Sequence, residues 1–181
     1  IGETPATRGF TPSVFSTLPK LLERCGTSDR GTITGFFAIL VEGDDMDEPV
    51  ADSVRGILDG HLVLSRKIAQ RAQYPAVDVL ASISRLAVKV APADVRKATD
   101  YLRRMLAVYT EAEDLINVGA YVRGTNPEID EAVRLMPVLR SFLTQGVEEK
   151  APLEETRNRI LEIAAGERPE PEANGAEDEE I

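Results

Sequence analysis

Apolar positions change their rhythm near residue 90 of this 181-residue chain. Before that point they cluster in short runs, and after it they recur at helical spacing. Val14, Phe15, Leu18, Leu21 and Leu22 predict a first helix over 13–24, with Ser13 as its N-cap and Pro19 as a kink. A turn-rich break at 25–31 precedes Thr32–Val41 (TITGFFAILV), whose β-branched and apolar residues predict a buried strand. A helix begins near Val50 and carries Val54, Ile57 and Leu58. Next come an apolar run (Leu62, Val63, Leu64), a basic helix-prone segment, Tyr74-Pro75, and a second apolar run (Val77, Val79, Leu80) ending on Ser82-Ile83-Ser84-Arg85. Two short apolar runs around a helical segment predict strand, helix, strand in a parallel α/β layer.

From residue 93 to 118, Tyr101, Leu102, Met105, Val108, Tyr109, Ala112, Leu115 and Ile116 repeat with a period of about 3.6, and Gly119 follows as a C-terminal cap. Asn126-Pro127 starts another helix with Ile129, Ala132, Val133, Met136, Leu139, Phe142 and Leu143 on one face. A shorter helix follows Pro152, with Leu153, Ile160 and Leu161. No strand signal follows Leu86, so the chain divides near 88–93 into an α/β part and an all-α part.

Charge refines this division. The formal charge is −10, and residues 166–181, with seven acids and one Arg, hold −6 of it. That acidic stretch has no large apolar residue before Ile181 and reads as a disordered tail. No clustered Lys and Arg are present to neutralise a nucleic-acid backbone. A single cysteine, Cys25, rules out an internal disulfide and fits a reducing, cytosolic setting. No stretch approaches the roughly 20 apolar residues of a membrane span, and there is no secretory signal pattern. The first residue is Ile, which points to a processed piece or a fragment.

Candidate chemistry is sparse. There is no GxxxxGK[ST] loop, HExxH, GxSxG or Cys/His cluster. Tyr74 precedes a proline, which biases it to extended backbone. Arg85 sits just past an apolar run, where a side chain can leave a sheet edge for a ligand, a neighbour or an internal ion pair. Loop 42–49 holds five acids, Asp44, Asp45 and Asp47 among them. It reads as a solvated loop ahead of a helix, and its spacing matches no EF-hand, so no metal is expected. His61, the only histidine, has no Cys or His nearby in sequence and reads as structural.

Three blocks taken together carry a resemblance: PATRGFTPSVFSTLPKLLERCG, GTITGFFAILVEGDDMDEPVAD and ILDGHLVLSRKIAQRAQYPAVDVLASISR. In order and without apparent gaps, they resemble the rotary-type hexameric ATPases, and within them the flagellar and type III secretion export ATPases. The likeness covers about residues 1–165. It implies the C-terminal part of a RecA-like nucleotide-binding domain over 1–90 and a helical C-terminal domain over 91–165; the acidic tail, 166–181, falls outside it. In this family the phosphate-binding loop, the catalytic glutamate and the Walker B aspartate precede the PATRG-like segment. The resemblance therefore implies ATP with Mg2+, whose phosphate and metal ligands lie outside these residues, and no hydrolysis by this chain alone.

Residue by residue, Arg85 matches the arginine finger that such rings insert into a neighbouring subunit's site, and Tyr74 matches the aromatic stacked on adenine. Val147, Lys150 and Leu153 match the other side of that pocket, in a segment of variable residue type with no aromatic here. Asp44, Asp45 and Asp47 match a loop facing the ring axis, toward a stalk-like coiled-coil export component. Arg8 and Gly9 of PATRGF match a conformational or packing element with no assigned chemistry. The implied whole is a homohexamer without nucleic acid, cytoplasmic and peripheral at the membrane export apparatus, that couples ATP hydrolysis to flagellar or type III secretion. The competing reading is a noncatalytic ring-forming or partner-binding module, or a noncatalytic subunit of a rotary synthase.

Overall fold

A computed structural model describes residues 2, 4, 10–41, 43 and 45–166. Arg8, Gly9, Asp44 and all but the first residue of the acidic tail thus lie outside the described residues. The chain runs α1 (Pro12–Leu22), β1 (Gly26–Ser28), β2 (Gly31–Ile33), α2 (Pro49–Ile57), β3 (Gly60–Leu64), α3 (Arg66–Gln70), β4 (Val77–Ser84), α4 (Ala87–Val90), α5 (Ala93–Asn117), α6 (Pro127–Phe142) and α7 (Leu153–Ala165). Every strand among the described residues precedes Arg85 and only helices follow, so an α/β region gives way to an all-α one as expected. Helix α1 starts two residues earlier than an N-cap at Ser13 implies. Pro12 occupies its first turn, where a missing N–H costs nothing, and Thr11 is the N-cap.

The strands correct two expectations. First, β3 and β4 pair antiparallel, with Leu64 opposite Val77 and Gly60 opposite Ser84, and do not form a parallel layer. Helix α3 explains why. Its five residues advance about 7.5 Å, while five-residue β3 extends about 17 Å. The helix is too short to return the chain to the start of a parallel partner, so it caps a wide hairpin instead. Second, the apolar run Thr32–Val41 is not a buried strand. Only its beginning pairs, as β2 against β1, with Thr27 opposite Thr32. Residues 34–41 have no regular structure, and Phe36 and Leu40 are 94% and 96% exposed. A strand apolar on both faces is stable only with neighbours covering it, and no second strand among the described residues lies beside 34–41.

The helical region packs as the periodicity dictates. Leu102 and Met105 of α5, Ala132, Leu135 and Leu139 of α6, and Ile163 of α7 form one buried cluster, flanked by Tyr109, Phe142 and Ile160. Asn126 caps α6, its side-chain oxygen accepting from the Glu128 and Ile129 amides. Gly119, at φ 71°, ends α5 in the left-handed conformation that spares only glycine a Cβ penalty. No helix among the described residues is long and apolar enough to cross a membrane.

One ion-pair group adds a pH dependence. The Glu131 carboxylate accepts from Arg134 at 2.6 and 2.8 Å and from the Tyr101 hydroxyl at 2.8 Å. These bonds, the Arg134 pair above all, hold Glu131 at about 2, against an ordinary 4.5. A depressed carboxylate stabilises the fold above its unfolded value and loses that contribution as pH falls from 4.5 toward 2. Glu131→Gln should therefore flatten the decline of Tm across this window. The pair is partly exposed, so a screened contribution of about 0.5–1 kcal/mol corresponds to about 1–4 °C. Identical wild-type and variant slopes in a pH series of thermal melts would contradict this.

Candidate functional site

Strand β4 and its flanks organise the site. The register with β3 jumps from Val63 opposite Asp78 to His61 opposite Ile83, so Val79, Leu80, Ala81 and Ser82 bulge opposite Leu62 alone. Such a bulge strands backbone groups that the ladder would otherwise satisfy. Asp78 Oδ1 accepts from the Leu80 and Ala81 amides, each at 3.0 Å. Ser82 Oγ donates to Asp78 O and accepts from the Val63 amide at 2.9 Å. His61 Nε2 donates to Ala81 O at 3.2 Å, which gives this histidine a structural place. The carbonyls of Val79, Leu80 and Ser82 all accept from the guanidinium of Arg103 on α5, at 2.5–3.4 Å.

Arg85 leaves the end of this strand into solvent. Its amide donates to Asp59 O at 2.8 Å, and its guanidinium donates to Arg55 O at 3.0 Å. It forms no ion pair among the described residues. Arg55 lies in the last turn of α2, where carbonyls lack helical partners and a cation is favoured. The side chain thus rests on a helix C-terminus by one neutral acceptor and remains accessible.

Tyr74 lies at the other end of β4. The residue is 55% exposed, and its peptide bond to Pro75 is cis. Its carbonyl accepts from the Gln145 amide at 2.7 Å, which ties the tyrosine segment to the loop between α6 and α7. That loop is closed by Glu149, whose carboxylate accepts from the Gly146 amide at 2.9 Å and whose carbonyl accepts from the Gln145 side chain. Val147 is 98% exposed, and Lys150 and Leu153 are exposed too. The fold therefore brings Tyr74 to the segment holding these three residues, and leaves an aromatic face and two apolar side chains uncovered. Such surfaces suit a planar apolar base. No group of three or more metal-ligating side chains occurs among the described residues.

The acidic loop divides by residue. Asp45 accepts from the Asp47 amide at 3.2 Å, in a local turn. Asp47 is almost fully exposed, with Arg55 at 3.6 Å. Among the described acids of this loop, Asp47 is thus presented outward, ahead of Asp45.

Comparison with known proteins decides the family. Residues 1–84 match the ATP synthase alpha/beta family nucleotide-binding domain, and residues 91–162 match the T3SS EscN ATPase C-terminal domain. The chain belongs to the flagellar and type III secretion ATPases. It is 56% identical over 155 residues to the flagellum-specific ATP synthase of Treponema pallidum, covering 86% of this chain and 35% of that one. Against the flagellum-specific ATP synthase of Bacillus subtilis it is 51% identical over 166 residues, covering 92% and 38%. The assembled ATPase EscN from the enteropathogenic E. coli type III secretion system superposes with a TM-score of 0.87 at 37% identity, over 90% of this chain and 40% of EscN. EscN in complex with its central stalk EscO superposes with a TM-score of 0.80 at 36% identity, over 90% and 38%. The chain thus spans somewhat over a third of the length of these relatives.

Two parts of the site escaped sequence reasoning. Asp78 and Ser82 interrupt the apolar run VDVLASIS, a pattern that marks a bulge. Arg103 falls on the same helical stripe as Thr99, Leu102 and Leu106, and a charge on an apolar stripe signals a buried partner.

Proposed function

We propose that this chain is the C-terminal part of an export ATPase that works as a homohexamer and energises flagellar or type III protein secretion. In this reading residues 1–90 complete a RecA-like domain and 91–165 form the helical C-terminal domain. Arg85 reaches the γ-phosphate of ATP bound at the neighbouring subunit's phosphate loop. Tyr74 stacks on adenine, and Val147, Lys150 and Leu153 line the far side. Mg2+ is held by residues outside this chain. The guanidinium neutralises charge that develops on the transferring phosphoryl group, and its planar fork fixes the geometry. Asp44, Asp45 and Asp47 face a stalk-like coiled coil, and the ring sits in the cytoplasm at the membrane export apparatus.

The observation that carries this reading is Arg85, exposed at the end of β4 and held by a single neutral carbonyl. A structural arginine would engage most of its fork, as Arg103 does with the carbonyls of Val79, Leu80 and Ser82. Tyr74 supplies the experiment on nucleotide binding. Its tether to Gln145 runs through the backbone, so Tyr74→Ala removes the ring and keeps the loop in place. Aromatic stacking on a base contributes about 1–3 kcal/mol. In the full-length ATPase containing this segment, Tyr74→Ala should weaken nucleotide binding by roughly tenfold or more, with a smaller change in kcat, and Tyr74→Phe should restore affinity. Unchanged affinity by titration calorimetry would remove Tyr74 from the pocket.

A further inference from the structure

Every carbonyl from Asp78 to Ser82 is satisfied by a side chain, and three of the five are satisfied by one residue of the helical region. We propose that Arg103 is a positioning residue for Arg85, its guanidinium locking the β4 bulge so that the strand delivers the finger in one orientation. The inference rests on the reading of Arg85 as the finger. Between Ser82, whose carbonyl Arg103 holds, and Arg85 lie only Ile83 and Ser84.

Three features make Arg103 more than a packing residue. It forms no ion pair among the described residues, so backbone dipoles are its counter-charge. Its fork spans carbonyls at three positions of the bulge, which a point ammonium cannot do. It also borders an apolar cavity of about 70 Å³ lined by Val79, Leu102, Leu106, Leu139 and Phe142 among others, and an environment of that kind strengthens the bonds it makes. Freed from Arg103, the bulge would leave three carbonyls to find new partners. The strand end could then relax by an ångström or so, a displacement that costs about a hundredfold when it misplaces a reacting group.

The test is a double-mutant cycle in the full-length ATPase, measuring kcat and KM for ATP. Arg103→Met keeps the apolar stem and removes the donors. It should lower kcat by about ten- to a hundredfold and leave KM within about twofold. Arg103→Lys should recover little of the loss. If Arg103 acts through Arg85, the Arg85→Ala, Arg103→Met double variant should be no slower than Arg85→Ala alone. Multiplying losses would overturn the proposal, because Arg103 would then act independently. An unchanged kcat in Arg103→Met beside a large loss in Arg85→Ala would overturn it while sparing the finger. No loss in Arg85→Ala would overturn the finger reading itself, whatever Arg103 does. Should Arg103→Met fail to assemble, Arg103→Lys carries the same cycle. Arg71→Gln serves as the control for loosening of the junction. It removes a two-pronged bond to Glu113 of α5, at 2.9 and 3.0 Å, and should leave kcat unchanged. An equal loss there would assign the effect to the junction and not to Arg103.

Discussion

Arg85→Ala in the full-length ATPase is expected to lower kcat by about 10³–10⁵ while KM for ATP changes little. A finger contacts charge that develops in the transition state, so its loss falls on turnover and spares ground-state binding. The alternative is that Arg85 merely caps α2 through Arg55 O. That reading predicts a different result: a screened charge–dipole contact of about 0.3–1 kcal/mol would lower Tm slightly and leave kcat untouched. Arg85→Lys separates the two further. An ammonium can still cap a helix end, but it cannot reproduce a planar fork on a phosphoryl group. Lysine should therefore restore Tm and not turnover. Steady-state kinetics with a parallel thermal melt reads both, and a variant with normal kcat and a lowered Tm would return Arg85 to the cap.

The largest expected loss of stability comes from Leu135→Ala. Leu135 is 2% exposed and belongs to the cluster that joins α5, α6 and α7. Truncating a buried leucine costs about 2–5 kcal/mol, since the cavity left behind collapses only in part. Domains are stable by only about 5–15 kcal/mol, so this change removes a large share. At about 2–4 °C per kcal/mol, Tm should fall by about 4–20 °C. Loosening α6 should also free the loop that begins just after it, and with it the Gln145 tether to Tyr74. A urea-midpoint shift equivalent to less than about 1 kcal/mol would show that this cluster is not what holds the helical region together.

The helical half of the fold was legible because its signals are local. The repeat through Leu102, Met105 and Val108, the Asn126-Pro127 start and Gly119 each act within a turn or two of themselves. The strands were not legible to the same degree. An apolar run such as Leu62–Leu64 or Val77–Leu80 says that a strand is present, not which way its partner runs. That direction was decided by the length of α3, whose boundaries no motif announced. Thr32–Val41 shows the same limit, since its composition specifies a strand but supplies no neighbour. At the site, Tyr74 and Arg85 were weak signals by residue type and gained their roles only from family resemblance. Arg103 escaped notice: a charge on an apolar stripe is a signal for a partner, but its three acceptors sit in a bulge created by tertiary pairing.

The central claim is that Arg85 completes a site in the adjacent subunit, and mixed rings test it most directly. Subunits carrying Arg85→Ala are combined with subunits whose phosphate-binding loop is inactivated, and co-assembly is verified. Each parent ring lacks one element at every site. In a mixed ring some interfaces pair an intact phosphate loop with a neighbour's intact Arg85. ATPase activity above that of either parent ring is the predicted result. Activity no higher than the parents', in rings shown to contain both subunits, would contradict action across the interface.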